Sequence, residues 1–165
     1  MMAASLAHDI GNPPFGHAGE FAIRSWAADH QDDLLTQLQE PKGDDEHSSL
    51  SGLKQDLLLF EGNAQALRIC ARQDVARSGY MRLTYSTIGA MVKYPWHSSD
   101  ARALDKEKYC FFSTEQKIAE EIFSAMGLAE GDQLKRHPVS FLTEAADDIC
   151  YSCLLYTSPS PRDRG

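Results

Sequence analysis

His8 and Asp9 set an imidazole beside a carboxylate. That pairing suits a divalent cation taking one nitrogen and one oxygen ligand. A His-Asp dipeptide on its own is common and carries little weight. Further along, His17 and Glu20 stand at i and i+3 on one helix face. Such a pair can orient or protonate a water or a leaving oxygen, and the same spacing also describes a surface ion pair or a helix cap. Asp147 and Tyr151, at i and i+4, share a face of a late helix, with Glu144 and Asp148 as neighbouring acids. Solvated acids and a core tyrosine are the plain alternative there, and Asp148 is the rival ligand. Lys93 is a compact charge able to meet a phosphate oxygen, or a solvated surface lysine. Asn63, Gln65 and Arg68 could hydrogen-bond a phosphate or a base, or stitch one helix to another. Trp96, Phe111 and Phe112 read as packing; His30, His47, His97 and His137 have no partner at useful spacing.

The elements that must position these groups read as all-α. Residues 2–8 form the last turns of a helix ending near Gly11, and the Gly-Asn-Pro-Pro-Phe-Gly run over 11–16 is turn chemistry. Helices are expected over 17–28, with Phe21 and Trp26 among its apolar residues, and over 63–72 and 85–92, the last stopping before Pro95. Residues 96–112 read as loop. A helix over 114–126 has Ser113 or Thr114 as cap, Ile118, Ile122 and Met126 as buried stripe and Gly127 as stop. A last helix runs from Pro138 to Tyr151. Residues 40–56 are polar and poor in aromatics, and read as a mobile surface insertion. No strand pattern or internal repeat stands out.

With 42% hydrophobic and 24% charged residues, the chain has the balance of an ordinary globular protein. A net charge of −8 without a basic stripe argues against a nucleic-acid backbone as the main partner. It leaves room for a small anionic substrate held by a metal and a few placed cations. No apolar run is long enough to span a bilayer and no signal peptide is evident, so a cytoplasmic location with reduced thiols at Cys70, Cys110, Cys150 and Cys153 is expected.

Context sharpens the first pair. Residues 6–20, LAHDIGNPPFGHAGE, closely resemble the signature of the bacterial deoxyguanosine triphosphate triphosphohydrolases, within the HD phosphohydrolase superfamily. Three further stretches are similar to that family in the same order: FEGNAQALR at 60–68, LTY at 83–85 followed by KYPW at 93–96, and EAADDICY at 144–151. The resemblance implies an HD-domain helical bundle that hydrolyses deoxynucleoside triphosphates, dGTP foremost, to deoxynucleoside and inorganic triphosphate. It implies metal ligation by His8, Asp9 and Asp147, catalytic roles for His17 and Glu20, and substrate contacts from Asn63, Lys93 and Tyr151, the last packing on the deoxyribose. It also implies Mg²⁺ or Mn²⁺ as the working ion, a homo-oligomer, and single-stranded DNA as an effector.

The family has a further histidine ligand on a helix upstream of the His-Asp pair and further acidic sugar contacts beyond Tyr151, and this sequence shows neither. Residues 153–163, CLLYTSPSPRD, resemble the translation of a transposase-type sequencing adapter. The expected organisation is therefore a partial HD domain over 1–152 and a non-native tail over 153–165. Such a fragment is expected to be weakly active or inactive and to self-associate through uncovered apolar faces. Two other functions compete: an HD phosphohydrolase of another nucleotide, told apart by its products, and an HD remnant that binds nucleotide without turnover.

Overall fold

The computed structural model describes residues 1–37, 50–71, 81–131 and 133–157. Among them the chain runs α1 (Met2–Ala7), α2 (His17–Asp29), α3 (Gln31–Gln37), α4 (Leu50–Leu58), α5 (Gly62–Ala71), α6 (Tyr85–Met91) and α7 (Ala101–Lys106). A 3-10 turn at Ser113–Glu115 leads into α8 (Gln116–Ala125), a two-residue antiparallel hairpin β1 (Ala129–Glu130) and β2 (Gln133–Leu134), and α9 (Pro138–Thr157). The fold is mostly α, as the sequence pattern requires.

A helix with buried residues on several faces must be enclosed by others, and α5 is that helix. Leu67 and Ala71 enter a cluster with Ile88, Val92, Phe111, Ile122 and Phe123. Ala66 and Cys70 join Ala4, Ala90 and Met91, and Ala64 joins Ala103, Tyr109 and Phe112. The small residues on α5 let its neighbours come close. α6 lies beside it, between α1, α8 and α9. Its start is fixed by Thr84, whose hydroxyl accepts from the Thr87 N–H.

The turn after α1 is pressed onto the first turn of α5. A Cβ on Gly11 would stand 2.1 Å from the Gly62 carbonyl oxygen and 2.2 Å from the Ala66 nitrogen. A Cβ on Gly62 would stand 2.5 Å from Asn12 Oδ1 and 2.9 Å from Glu20 Oε1. Only glycine at both positions permits this approach, which sets His8, Asp9 and Glu20 relative to α5.

Several expectations need correction. Residues 50–56 are not a mobile insertion: they lie in α4, where Asp56 is buried and accepts from the Ser98 hydroxyl at 2.6 Å, the Ser113 N–H at 2.9 Å and the Ser113 hydroxyl at 2.6 Å. Burial pushes this carboxyl up against the pull of those donors. The remainder of the 40–56 segment, through residue 49, lies outside the described residues. The 96–112 stretch is not all loop, since Asp100 caps α7 by accepting from the Arg102 N–H at 2.8 Å. Ser113 and Thr114 do not cap α8; they belong to the 3-10 turn, and Ser113 is committed to Asp56. The helix expected over 17–28 is present as α2, and its Phe21 and Trp26 are exposed, Trp26 stacking on His30 at 4.7 Å between centroids. The last helix extends past Tyr151 to Thr157, through the first residues of the segment read as a tail; residues 158–165 lie outside the described residues.

The contact at Gly11 is with backbone on both sides, so it cannot relax by moving a side chain. Gly11→Ala is expected to destabilise the fold by ~3 kcal/mol, read as a lowered denaturation midpoint in urea; Gly127→Ala, at a position with open space but a φ of 67°, is expected to cost less by the same measurement, ~1–2 kcal/mol from backbone strain alone.

Candidate active site

His8 follows the last residue of α1, and its ring is nearly covered. Nδ1 lies 2.7 Å from the Ser5 carbonyl oxygen and donates to it. In the neutral ring that bond fixes the tautomer and leaves the lone pair on Nε2. Nε2 is buried and has no hydrogen-bond partner among the described residues. It faces Asp9 Oδ2 at 3.3 Å and Asp147 Oδ1 at 3.4 Å. A lone pair aimed at two carboxylate oxygens is repulsive, and a proton on Nε2 or a cation among the three groups would relieve it. One ligand atom from each of His8, Asp9 and Asp147 falls within 4.8 Å of the others. Ligands ~2.1 Å from one ion sit ~3.0 Å apart when cis in an octahedron and ~3.4 Å apart in a tetrahedron. The donor set, one nitrogen and two carboxylates, and its spacing fit a divalent ion.

Three separate elements meet here: the end of α1, the segment after α6 and the middle of α9. The segment after α6 contributes Lys93, whose Nζ is 3.7 Å from the other Asp147 oxygen, Oδ2, and whose side chain is only 18% exposed. The structure therefore groups His8, Asp9, Asp147 and Lys93. It does not bring Asp148, which is exposed, into the cluster. Tyr151 is one turn beyond Asp147, 64% exposed.

The second group lies where α2 meets α5. His17 is 85% exposed, but its Nδ1 is 2.9 Å from Oε2 of Glu20, a side chain only 5% exposed. Glu20 Oε1 accepts from the Gly62 N–H at 2.8 Å. Burial by itself would raise this carboxyl; the His17 hydrogen bond, the Gly62 N–H and the nearby Lys108 charge outweigh it and hold Glu20 below the usual carboxylate range. Lys108 Nζ is 3.5 Å from Glu20 Oε2 and donates to Glu61 Oε1 at 2.6 Å. Burial alone would lower that ammonium, but the bond to Glu61 and the charges of Glu61 and Glu20 raise it.

Asn63 is placed between the two groups. It lines a small cavity with His8, Ala66, Leu67, Ile88, Met91 and Val92. Its backbone N–H donates to Glu61 Oε2 at 2.7 Å and its Nδ2 to Glu61 Oε1 at 3.0 Å. Its amide nitrogen is thus committed to Glu61, leaving the carbonyl end for other partners. Arg68 stitches helices: it bonds Glu115 and Thr114 and lies over Phe112, 4.2 Å from the ring centroid.

Glu61 and Lys108 were not among the sequence candidates. Glu61 sits inside the FEGNAQALR block, next to Asn63, yet nothing in that string marks its carboxylate as buried. Lys108 follows Lys106 and Glu107 and looks like one more solvated charge. The four cysteines are free thiols, and no helix among the described residues is long and apolar enough to cross a membrane.

No family model matches the sequence. Curated relatives are nevertheless similar along most of it. The deoxyguanosinetriphosphate triphosphohydrolase-like protein of Pseudomonas aeruginosa (strain LESB58) is 41% identical over 160 residues, 93% of this chain and 34% of that protein. The protein of the same name from Synechocystis sp. is 40% identical over 92% of this chain and 36% of its own length. The deoxyguanosinetriphosphate triphosphohydrolase of Yersinia enterocolitica is 34% identical over 90% of this chain and 32% of its own length. The chain spans about a third of the length of the curated relatives it matches.

Because Glu20 titrates lower in the folded protein than its ordinary value of 4.5, its contribution to stability is present above that value and is lost as pH falls through the folded value. Glu20→Gln removes this component. The gap in unfolding free energy between wild type and variant is expected to be largest near neutrality and to narrow steadily below about pH 4.5, measured by urea denaturation across pH.

Proposed function

We propose that this chain carries the metal-ligand cluster and the acid–base pair of an HD-type deoxynucleoside triphosphate triphosphohydrolase, acting on dGTP foremost. The observation that carries this reading is the buried, unpartnered Nε2 of His8 between the Asp9 and Asp147 carboxylates, with Lys93 on the far oxygen of Asp147. The names of the similar proteins support the substrate class. The reaction would join a water oxygen to the α-phosphorus and break the bond to the 5′ oxygen, releasing deoxynucleoside and inorganic triphosphate.

A divalent ion, Mg²⁺ or Mn²⁺, held by His8, Asp9 and Asp147 would supply Lewis acidity toward a phosphate oxygen and make a water easier to deprotonate. The chain's own residues do the rest. Lys93 meets a triphosphate oxygen with a fixed ammonium. His17, exposed and anchored through Nδ1 on Glu20, presents Nε2 outward to give a proton to the departing 5′ oxygen. Glu20 holds the ring in that orientation and stabilises its cationic form, the role an acid plays behind a catalytic histidine. Tyr151 offers an aromatic face one turn from Asp147 for the deoxyribose, and Asn63 lines the cavity beside His8. Three protein ligands hold an ion less firmly than a fuller set, so slow turnover is expected of this chain alone. A cytoplasmic location, a homo-oligomer and a single-stranded DNA effector are proposed for the whole protein.

The test is incubation of the chain with dGTP and Mn²⁺, with products resolved by anion-exchange chromatography. Slow release of inorganic triphosphate and deoxyguanosine is expected, falling at least about 100-fold in His8→Ala and in Asp147→Asn. Pyrophosphate or single phosphate as product would assign the site to a different nucleotide reaction. Mn²⁺ binding seen by electron paramagnetic resonance without any product would make the chain a binding module.

A further inference from the structure

Among the described residues, Lys108 is the one ammonium set between the buried carboxylates Glu20 and Glu61. Its Nζ donates to Glu61 Oε1 at 2.6 Å and stands 3.5 Å from Glu20 Oε2, the same oxygen that His17 Nδ1 meets at 2.9 Å. Its backbone is pinned as well. The Trp96 indole N–H donates to the Lys108 carbonyl at 2.7 Å, and Arg102 lies over the Trp96 ring, 4.6 Å from its centroid. The side chain is thus fixed at both ends, and its charge is spent inside the site rather than toward solvent.

Among the described residues, no Lys or Arg other than Lys108 forms an ion pair with Glu20. On its own helix, His17 is its hydrogen-bond partner, while Arg24 is turned to the Phe60 carbonyl at 2.8 Å and to Glu107 at 3.0 Å. α4, packed against α2, brings Lys54 and Asp56, the latter locked on Ser98 and Ser113. α3 brings Asp32 and Asp33. From α5 comes only the neutral Gly62 N–H, and just before it Glu61, an anion.

Resting on the acid–base role argued above for His17 and Glu20, we infer that Lys108 is the positioning residue of that pair: its ammonium, anchored on Glu61, is the fixed counter-charge that keeps Glu20 a hydrogen-bond acceptor for the imidazole. Without it, two buried carboxylates would face each other near one site, and one of them would take up a proton. A protonated Glu20 no longer accepts from the ring N–H, so His17 would lose its orientation and the stabilisation of its cationic form. The directions in which Glu20 and Lys108 titrate, down and up, agree with this arrangement.

The experiment follows the Glu20 side-chain carboxyl by carbon-13 NMR as a function of pH, assigned with Glu20→Gln, in wild type, Lys108→Met and Lys108→Arg. Lys108→Met is expected to raise the Glu20 midpoint by at least about one pH unit, and Lys108→Arg to restore most of the difference. Because Lys108→Met strands Glu61, the double variant Lys108→Met/Glu61→Gln is measured too; it removes one charge of each sign, leaves the net charge of the cluster unchanged and is still expected to raise the Glu20 midpoint. An unmoved midpoint in folded variants would overturn the inference and leave Lys108 as a tie for Glu61 alone. Failure of both neutral variants to fold, by circular dichroism, would likewise make Lys108 a requirement of the fold and overturn it.

The kinetic counterpart is the acid limb of kcat for triphosphate release. It is expected to move up with the Glu20 midpoint, a loss of about 10-fold per unit below it, while KM stays within about twofold. A rise in KM with an unmoved limb would put Lys108 on the substrate and overturn the positioning role. If the wild type releases no triphosphate at all, the proposed function fails, while the NMR titration still decides whether Lys108 governs Glu20.

Discussion

A carboxylate buried without partners costs several kcal/mol, and Glu61 has no exposed surface. Both its oxygens are met: the Lys108 ammonium and the Asn63 Nδ2 reach one, and the Asn63 N–H reaches the other. Satisfying this one group constrains a large part of the bundle. α5 must begin where its first N–H groups can turn to the acids, since those donors have no partner inside the helix. The segment after α7 must run back to deliver Lys108. α2 must come close enough for Glu20 to share the ammonium and to take the Gly62 N–H. The positive end of the α5 dipole favours two carboxylates at this point. A residue larger than glycine at 62 would push Asn12 and Glu20 away from it.

The two halves of the site are built differently. Around Glu20 the polar groups are paired before any substrate arrives, and the His17 ring is the outward end of a buried chain running from Glu61 through Lys108 and Glu20. Around His8 the reverse holds. Nδ1 is tied to Ser5, but Nε2 is left without a donor or acceptor, and the two carboxylates flanking it come from separate elements, one of them α9. The first half is complete as a set of protein contacts. The second would be completed by a cation among His8, Asp9 and Asp147. Lys93, set against Asp147 Oδ2, offsets part of the negative charge there.

Much of this was legible in the sequence, and the limits have physical causes. Local chemistry shows in a string of letters: turn residues over 11–16, proline at the start of α9, and helical spacing of Ala64, Leu67 and Ala71 mark elements the structure contains. Order also shows, since four motif blocks in sequence pointed to His8, Asp9, Lys93 and Asp147, which the structure gathers. Burial of charge does not show, because it is a property of the assembled neighbours. Asp56 looked like part of a solvated insertion and is instead the hub of three hydrogen bonds joining α4 to Ser98 and Ser113. Lys108 looked like a surface lysine for the same reason. In the other direction, the apolar character of Phe21 and Trp26 does not bring them inside: α2 turns its Glu20 side inward and leaves them exposed.

That inversion on α2 follows from the energetics of its inner face. A helix ordinarily buries its apolar stripe, at ~25 cal/mol per Å² gained. Turning Phe21 inward would rotate Glu20 and His17 away from α5, leaving the Gly62 N–H and the Lys108 ammonium without an acceptor on α2. Ala27 and Glu20 are the buried residues of α2, so the helix trades aromatic burial for a satisfied polar contact. The trade holds because the polar contact is not an isolated pair: it is one edge of a network with Glu61 at its centre, and losing that edge would leave several buried groups short of partners at once. What orients His17 toward solvent is therefore the same constraint that keeps Glu61 paired.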